Sequence, residues 1–474
     1  MPARRTHLAP HHAHGELAAA LAALRTEFEV PLDFPPDALS EAAAAIPLPA
    51  PRDLRDIPFV TLDPVGSRDL DQAFHLERVG SGWRVRYAIA DVPGFVHPGG
   101  ALDRAARSRG QTLYLPDGTV PLHPRLLSEG RASLLPGETR SAYVWTAELD
   151  ADGAAHSGRV ERAVIRSRAQ LDYPGAQRAI DAGHADGPLA LLREVGLARS
   201  GQERLRGGAS LSMPEEEIRE TPSGYRIERR DPLPVEEWNA QLSLLAGITA
   251  GELMLGAEVG ILRTMPPPEE TALTEFRARV RALGQPWAQD LSYGEYLAGL
   301  DPTAVGTPAV RQAAAALFRG ADYTSFDGAL PAETRQAAIA APYAHVTAPL
   351  RRLVDRFGLV VCAAICADEA IPEWARAALP ELPALMRASN QRSGQLTSAA
   401  LDRVEAAVLH DRVGDTLDAV VIEVRGAKAR VQLTDPPVTA QCPADGLRAG
   451  TLVRLRVLGT DIASGTVDLA PVSI

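Results

Sequence analysis

The sequence predicts an α+β protein with a short N-terminal helical segment, a mixed α/β core and a C-terminal five-stranded OB barrel. Three observations lead to this fold class. Strand-like segments concentrate between residues 57 and 170, helical periodicity dominates from 235 to 409, and short strands return from 411 to 474. The chain has 474 residues, 46% of them hydrophobic, which allows a large core and about two to four domains.

The N-terminal segment, residues 1–50, is predicted to contain two helices. One is the Ala/Leu-rich stretch "GELAAALAALRTEF" near residues 15–28. The other lies in "PPDALSEAAAA", where Pro36 is suited to the first helical position. The segment is too short to form a barrel domain of its own.

The central part, residues 51–407, is predicted to form one mixed α/β domain. Its strands are "FVTLD", "WRVRYAIADV", "QTLYLP" and "AYVWTAELD", and two of its helices are "EEWNAQLSLLAGITAGELMLG" and "PLRRLVDRFGLVVCAAICADEA". Residues 408–474 contain the strands "TLDAVVIEV", "KARVQL", "TLVRLRVLG" and "TVDLAPV". About 65 residues of such strands with glycine turns suit a five-stranded OB barrel.

Composition narrows the classes of function. The formal net charge of −11 argues against nucleic-acid binding over the whole surface, although a cleft could still be basic. No apolar run approaches the ~18 residues of a membrane-spanning helix. The three cysteines are odd in number and follow no zinc-binding spacing, which is typical of a reducing compartment. We therefore expect no membrane association and a cytoplasmic location.

The stretch "TLDPVGSRDLDQAF" places Asp63, Asp69 and Asp71 within nine positions of one another. In an extended segment, residues two apart point to the same side, so Asp69 and Asp71 can converge, and Asp63 can fold back to meet them. Close carboxylates repel one another unless a cation lies between them, and magnesium prefers such oxygen ligands. The alternative from spacing alone is a solvated turn with acids on its surface.

Several ordered motifs resemble the RNase II/RNase R family of processive 3′→5′ exoribonucleases. They are "FVTLDPVGSRDLDQAF", "YAIADVPGFVHPGGALDRAARSRGQTLYLPDGTVPLHPRLLSEGRASLLPGE", "LRGGASLSMPEEEI", "LPVEEWN" and "YAHVTAPLRRLVDRF". The resemblance covers roughly residues 51–474 and implies an RNB catalytic domain followed by a terminal RNA-binding OB domain. The family commonly carries two cold-shock domains before the catalytic domain, and the helical segment 1–50 stands in their place.

The resemblance implies that Asp63, Asp69 and Asp71 bind metal, in a site for one or two magnesium ions, and that Asp71 is the most critical acid. The family's fourth aspartate falls on Gln72. An amide brings no negative charge, so the metal should be held less tightly or with more water. This departure leaves a catalytically impaired RNA-binding protein as the alternative function.

Two neighbouring arginines follow "TAPL" in the last of these motifs. The family's catalytic arginine matches Arg351, whose guanidinium would stabilise charge on the phosphate, and Arg352 is expected to contact RNA. Without the resemblance, the pattern indicates a helix N-terminus whose arginines pair with Asp355 or other acids.

The resemblance also implies residues that bind the RNA strand. Tyr114 matches a ring that stacks on a base, Tyr173 and Glu237 match positions that contact nucleotides near the 3′ end, including ribose hydroxyls, and Thr397 falls where the family has a further glutamate. The expected activity is magnesium-dependent, processive hydrolysis of single-stranded RNA to nucleoside 5′-monophosphates by a monomer.

Overall fold

The computed structural model describes residues 6–8, 15–209, 215–221, 224–301, 304, 306–317 and 319–472. Its N-terminal part contains β1 (Thr6–Leu8), α1 (Gly15–Glu27) and α2 (Pro36–Ala44). Helix α2 begins at Pro36, as the sequence predicts, because proline is preorganised for the first helical position. Leu17, Leu21 and Leu24 form the buried face of α1.

The central sheet is built from strands with one short helix and a small hairpin between them. In chain order these are β2 (Arg52–Asp53), β3 (Phe59–Asp63), β4 (Gln72–Val79), β5 (Gly82–Ala90), α3 (Ala101–Arg109), β6 (Leu113–Leu115), β7 (Gly118–Val120), β8 (Thr139–Leu149) and β9 (Ala155–Asp172). Strands β6 and β7 pair only with each other among the described residues.

Strand β9 closes the central sheet on itself, because its 18 residues change partner along their length. Its first part is antiparallel to β8, ending with Thr139 opposite Arg166, and its last part is parallel to β3. The order β3-β4-β5-β8-β9 therefore returns to β3. The parallel register places Asp63 opposite Asp172, so the first aspartate of the acidic motif lies where β3 and β9 both end.

The helical part follows β9 and packs against this sheet. It contains α4 (Tyr173–Asp181), α5 (Gly187–Arg206), β10 (Glu215–Thr221), β11 (Gly224–Arg230), α6 (Pro234–Gly256), β12 (Val259–Thr264), α7 (Glu270–Ala282), α8 (Tyr293–Ala298), α9 (Thr307–Leu317), β13 (Asp322–Asp327), β14 (Arg335–Gln336), β15 (Ala341–Pro342), α10 (Leu353–Ala367), α11 (Glu373–Ala378) and α12 (Leu382–His410). Buried residues of α6 and α10, such as Leu242 and Phe357, share one hydrophobic cluster with the sheet residues Tyr87 and Trp145.

The C-terminal strands are β16 (Thr416–Arg425), β17 (Lys428–Leu433), β18 (Thr439–Pro443), β19 (Leu452–Asp461) and β20 (Thr466–Pro471). They form one sheet in the order β18-β17-β16-β19-β20, which curls into a nearly closed barrel. Its buried side chains share a hydrophobic cluster with α1 and α12. The predicted fold class is confirmed. Across the described residues, no helix combines the length and apolar character needed to cross a membrane.

Candidate active site

The loop between β3 and β4 carries the three aspartates of the acidic motif. Asp63 is the last residue of β3, and Asp69 and Asp71 lie on either side of Leu70. Leu70 is fully buried, and its N–H donates a hydrogen bond of 3.0 Å to Ser133 Oγ. This buried anchor fixes the chain, so the two flanking carboxylates have defined positions.

Asp71 and Arg351 are brought together although they lie far apart in the chain. Asp71 Oδ1 accepts a hydrogen bond of 2.8 Å from the Leu350 N–H, and Arg351 Nε lies 3.7 Å from Asp71 Oδ2. The main-chain carbonyl of Asp71 accepts a second bond, of 2.9 Å, from the Ala90 N–H. Asp71 is 5% exposed, so this contact is shielded from solvent.

The three aspartates are coupled electrostatically to one another and to Arg351. Burial and the charge of Asp69 raise the pKa of Asp63 to about 7, and Arg351 opposes this shift. Burial raises the pKa of Asp69, and burial also raises the pKa of Asp71 well above its ordinary value, even with Arg351 and the Leu350 N–H acting against it. One arginine therefore does not neutralise this cluster.

Arg352 has a different role from its neighbour. Its Nε and Nη2 each donate a hydrogen bond of 2.8 Å to the carboxylate of Asp355. Asp355 Oδ1 also accepts a bond of 2.7 Å from the Ala348 N–H, which closes the turn before α10. The simple expectation of an arginine paired at a helix N-terminus thus holds for Arg352, whereas Arg351 turns to Asp71.

Gln72 uses both ends of its amide within the protein. Its Nε2 donates to the Thr347 carbonyl at 2.7 Å, and its Oε1 accepts from the Tyr87 hydroxyl at 2.5 Å. Gln72 thereby ties β4 and β5 to the segment that leads into Arg351. A carboxylate could accept from Tyr87 in the same way, but it could not donate to Thr347.

Two family models match this chain. The RNB domain matches residues 51–361, and the RNase II-type exonuclease C-terminal S1 domain matches residues 415–472. The chain belongs to the RNB family. The sequence resemblance to RNase II and RNase R is confirmed, and the closed sheet with its acidic loop lies within the RNB domain.

Curated relatives of this RNB chain include Ribonuclease R of Escherichia coli K12, which is 30% identical over 365 residues, covering 70% of this chain and 43% of the relative. Another is the probable exosome complex exonuclease RRP44 of Caenorhabditis elegans, 34% identical over 233 residues, covering 46% of this chain and 24% of the relative. The RNB chain therefore spans less than half the length of these relatives.

Two solved structures show the same fold. Mycoplasma genitalium RNase R in complex with ribose methylated single-stranded RNA superposes with a TM-score of 0.85 at 17% identity, over 96% of this chain and 78% of that one. Yeast Ssd1, a pseudonuclease, superposes with a TM-score of 0.72 at 16% identity, over 94% of this chain and 57% of that one. The RNB fold is thus found in a structure with bound RNA and in a pseudonuclease.

The RNB chain places the predicted strand-binding residues on four different elements. Tyr114 is 42% exposed on β6, between the buried Leu113 and Leu115. Tyr173 is the first residue of α4 and partly buried, Glu237 is exposed in the first turn of α6, and Thr397 is partly buried on α12. Tyr173 directly follows Asp172, which is opposite Asp63 in the β3–β9 register, so Tyr173 lies close to the acidic loop.

The chemistry of the three aspartates suits a hard divalent cation. Asp63 Oδ2 is buried and has no hydrogen-bond partner in the described structure, and the donors Asp63, Asp69 and Asp71 are all carboxylates, the ligand type that magnesium prefers. As the described side chains stand, no three His, Cys, Asp or Glu residues are close enough together to hold a metal ion. The donor chemistry fits magnesium, and the side chains would have to draw together around it.

Asp355 was expected only as a competing partner for the arginines. The structure shows that this fully buried carboxylate shapes the turn that presents Arg351. Its three-residue spacing from Arg352 was the signal for that contact. The tie between Gln72 and Thr347 has no comparable signal in the sequence, because it joins residues 275 positions apart.

Proposed function

We propose that this chain is a magnesium-dependent 3′→5′ exoribonuclease that degrades single-stranded RNA processively to nucleoside 5′-monophosphates. The observation that carries the proposal is the cluster of three electrostatically coupled aspartates, in which Asp71 is buried, Asp63 Oδ2 has no partner in the described structure and Arg351 lies beside Asp71. Membership of the RNB family supports it, because curated relatives include Ribonuclease R and exosome exonucleases.

Each residue has a distinct part in the proposed reaction. Asp63, Asp69 and Asp71 would hold the metal, which when bound polarises the phosphodiester and activates water. The Arg351 guanidinium is about one third exposed, so its free edge can donate to the phosphate while Asp71 limits its movement.

The strand is held by residues outside the acidic loop. The exposed Tyr114 ring would stack on a base, which any base permits, and Tyr173 and Glu237 would contact the last nucleotides. We assign these contacts from the family resemblance together with the exposure of Tyr114 and the closeness of Tyr173 to the acidic loop.

A labelled strand tests this function. A single-stranded RNA labelled at its 5′ end should shorten from the 3′ end when magnesium is supplied, and a chelator should stop the reaction. The released products should be nucleoside 5′-monophosphates. An intact strand after long incubation with several divalent metals would count against the proposal.

The second candidate function is an RNA-binding protein with impaired catalysis. The observation that favours it is the commitment of the Gln72 amide to Thr347 and Tyr87, in place of a fourth acidic side chain. Yeast Ssd1, whose fold is similar, is described as a pseudonuclease. Tight RNA binding without hydrolysis in the same labelled-strand experiment would select this alternative.

The remaining expectations from the sequence are part of the same proposal. They are a monomeric state, a cytoplasmic location, and a division into a helical segment 1–50, a catalytic domain 51–407 and an RNA-binding barrel 408–474. Helix α12 ends at His410 and packs against the barrel, so limited proteolysis is the direct measure of where the division lies.

A further inference from the structure

A polar cavity of about 320 Å³ lies between β12, β13, α12 and the segment before α10. Its walls include Arg263, Tyr323, Gln336, His345, Arg352 and Asn390, and we call it the Arg263 pocket. Its volume is at the lower end of the ~300–1,000 Å³ typical of small-ligand sites. A single nucleotide is a ligand of suitable size for such a cavity.

The charge of the Arg263 pocket is positive and only partly compensated. Two arginines and no Asp or Glu are among the described residues that line it. Arg352 is neutralised by its two hydrogen bonds to Asp355. The Arg263 guanidinium instead lies 4.5 Å from the centre of the Tyr323 ring, and its Nη1 is buried with no hydrogen-bond partner in the described structure. A buried donor without an acceptor is unfavourable unless a ligand supplies one.

The other polar groups of the pocket do not neutralise Arg263. Tyr323 Oη and His345 Nδ1 share a hydrogen bond of 2.7 Å. Burial raises the pKa of Tyr323 to about 12, so its hydroxyl stays protonated at neutral pH. Burial and the two arginines lower the pKa of His345 well below its ordinary value, so its ring is neutral. Among the described residues that line it, the pocket thus has an uncompensated cation and no anion.

The pocket is next to the proposed catalytic arginine. Arg351 contacts Asp71, whereas the next residue, Arg352, lines the pocket. The reaction site and the positively charged pocket therefore adjoin the same short segment.

We propose that the Arg263 pocket binds the phosphate group of a nucleotide, with the Arg263 guanidinium as its principal ligand. A planar guanidinium with a free donor matches phosphate oxygens, and the lining amides can hydrogen-bond the rest of the nucleotide. The choice of ligand rests on the proposed function. The phosphate group that the pocket binds belongs either to the released nucleoside 5′-monophosphate or to the bound strand.

The first experiment measures binding of 5′-AMP to the full chain by calorimetry in a chelator, with adenosine as the ligand lacking phosphate. Arg263→Gln should weaken AMP binding about ten- to hundredfold, as expected for loss of a charge-assisted hydrogen bond. Arg387→Gln is the matched control, because Arg387 is an exposed arginine already paired with Asp322, and it should bind AMP like the wild type. Arg263→Lys keeps the charge without the planar fork and should weaken binding by a smaller factor.

The second experiment measures, also in a chelator, the anisotropy of a short labelled RNA. If Arg263→Gln weakens AMP binding and leaves RNA affinity unchanged, the pocket takes the released product. If both weaken together, it takes a strand phosphate. Either outcome supports the phosphate site.

Equal AMP affinity in the wild type, Arg263→Gln and Arg263→Lys would overturn the inference, as would equal binding of AMP and adenosine. If Arg263→Gln does not fold, the AMP affinity of Arg263→Lys relative to the wild type is the deciding measurement. Because no hydrolysis is needed, a protein that binds AMP through Arg263 but never cleaves RNA would refute the proposed function and leave the pocket standing.

Discussion

Arg351 and Arg356 lie five residues apart, and each faces one aspartate, yet the two pairs differ in nearly every physical respect. Arg356 is 1% exposed, contacts the buried Asp103 directly and donates a further bond of 2.9 Å to the Val96 carbonyl. Arg351 is about one third exposed and stays 3.7 Å from Asp71.

The pKa values of the two aspartates shift in opposite directions. Burial acts to raise both. Arg356 and other donors nevertheless lower the pKa of Asp103, whereas the pKa of Asp71 stays well above its ordinary value. The difference teaches that a closely paired, buried carboxylate serves the fold, while an incompletely neutralised one can interact with a substrate or a metal.

The largest expected effect concerns the buried pair of Arg356 and Asp103. Asp103→Ala should lower the free energy of unfolding by ~3–5 kcal/mol, because it leaves a charged arginine buried without its partner. Urea denaturation measures this decrease. Because the pKa of Asp103 is lower in the folded protein, the stabilisation is full above the unfolded value of about 3.9 and disappears as the pH falls through the folded value.

Glu194→Ala provides the control for that measurement. It removes an exposed pair with Arg78, in which both side chains are about half exposed, and should cost at most ~1 kcal/mol. Equal destabilisation of the two variants would remove the distinction between the buried pair and a surface one.

The next largest effect concerns the incompletely neutralised pair of Arg351 and Asp71. Asp71→Asn keeps the shape of the side chain and removes its charge, so hydrolysis should fall by ~10²- to 10³-fold while RNA affinity stays near the wild-type value. Single-turnover cleavage and anisotropy give the two readouts. Asp327→Asn, in an exposed pair with Arg376, should cleave normally. Wild-type turnover in Asp71→Asn would show that the acidic loop is not the reaction site.

A smaller effect is expected at Gln72, which ties β4 and β5 to the segment before Arg351. Gln72→Glu keeps the acceptor for Tyr87 but sets a carboxylate against the Thr347 carbonyl, which should lower the free energy of unfolding by ~1–3 kcal/mol. The magnesium concentration for half-maximal cleavage should not fall. A clear drop in that concentration would mean that side chain 72 faces the metal.

The smallest effect extends the comparison to the barrel. Lys428 and Arg430 are exposed on β17, whereas Arg412 and Arg425 are paired with Asp415 and Glu423. Replacing Lys428 and Arg430 by Gln should flatten the slope of log K for RNA against log salt by about 1.4, that is, ~0.7 for each phosphate that is no longer neutralised. Replacing Arg412 and Arg425 by Gln is the control and should change the slope less. If the wild type and the variant at Lys428 and Arg430 gave the same slope, these two residues would not bind phosphate.

Local patterns predicted the elements of this fold well. "FVTLD" is β3, "KARVQL" is β17, and Pro36 begins α2. The hairpin of β10 and β11 was not anticipated, and neither was the pairing of β12 with β13 inside the region predicted to be helical. Neither was β18, whose short run "TAQCP" has little apolar alternation. Pairing between distant segments depends on tertiary packing, which local propensity does not contain.

The candidate site was predictable only to the level of residue identity. Motif resemblance selected Asp71 and Arg351, but the 3.7 Å separation between them and the unpartnered Asp63 oxygen depend on burial that a sequence does not state. The Arg263 pocket was not predicted at all. It combines residues from positions 111 to 390. Tyr343, His345 and Arg352 lie in the motif "YAHVTAPLRRLVDRF", but no pattern in the sequence places Arg263 beside them.

The cluster shared by α1, α12 and the barrel also buries Leu113 and Leu115, the residues on either side of Tyr114. Its members run from Leu17 to Leu469, so the ribosome must synthesise the barrel before this cluster can be completed. By the time residue 352 emerges, a nascent chain already contains the three aspartates of the acidic loop together with Arg351 and Arg352. The leucines that flank Tyr114 complete their packing only afterwards, so the ring proposed to stack on a base is held in place only once the last strands have been made.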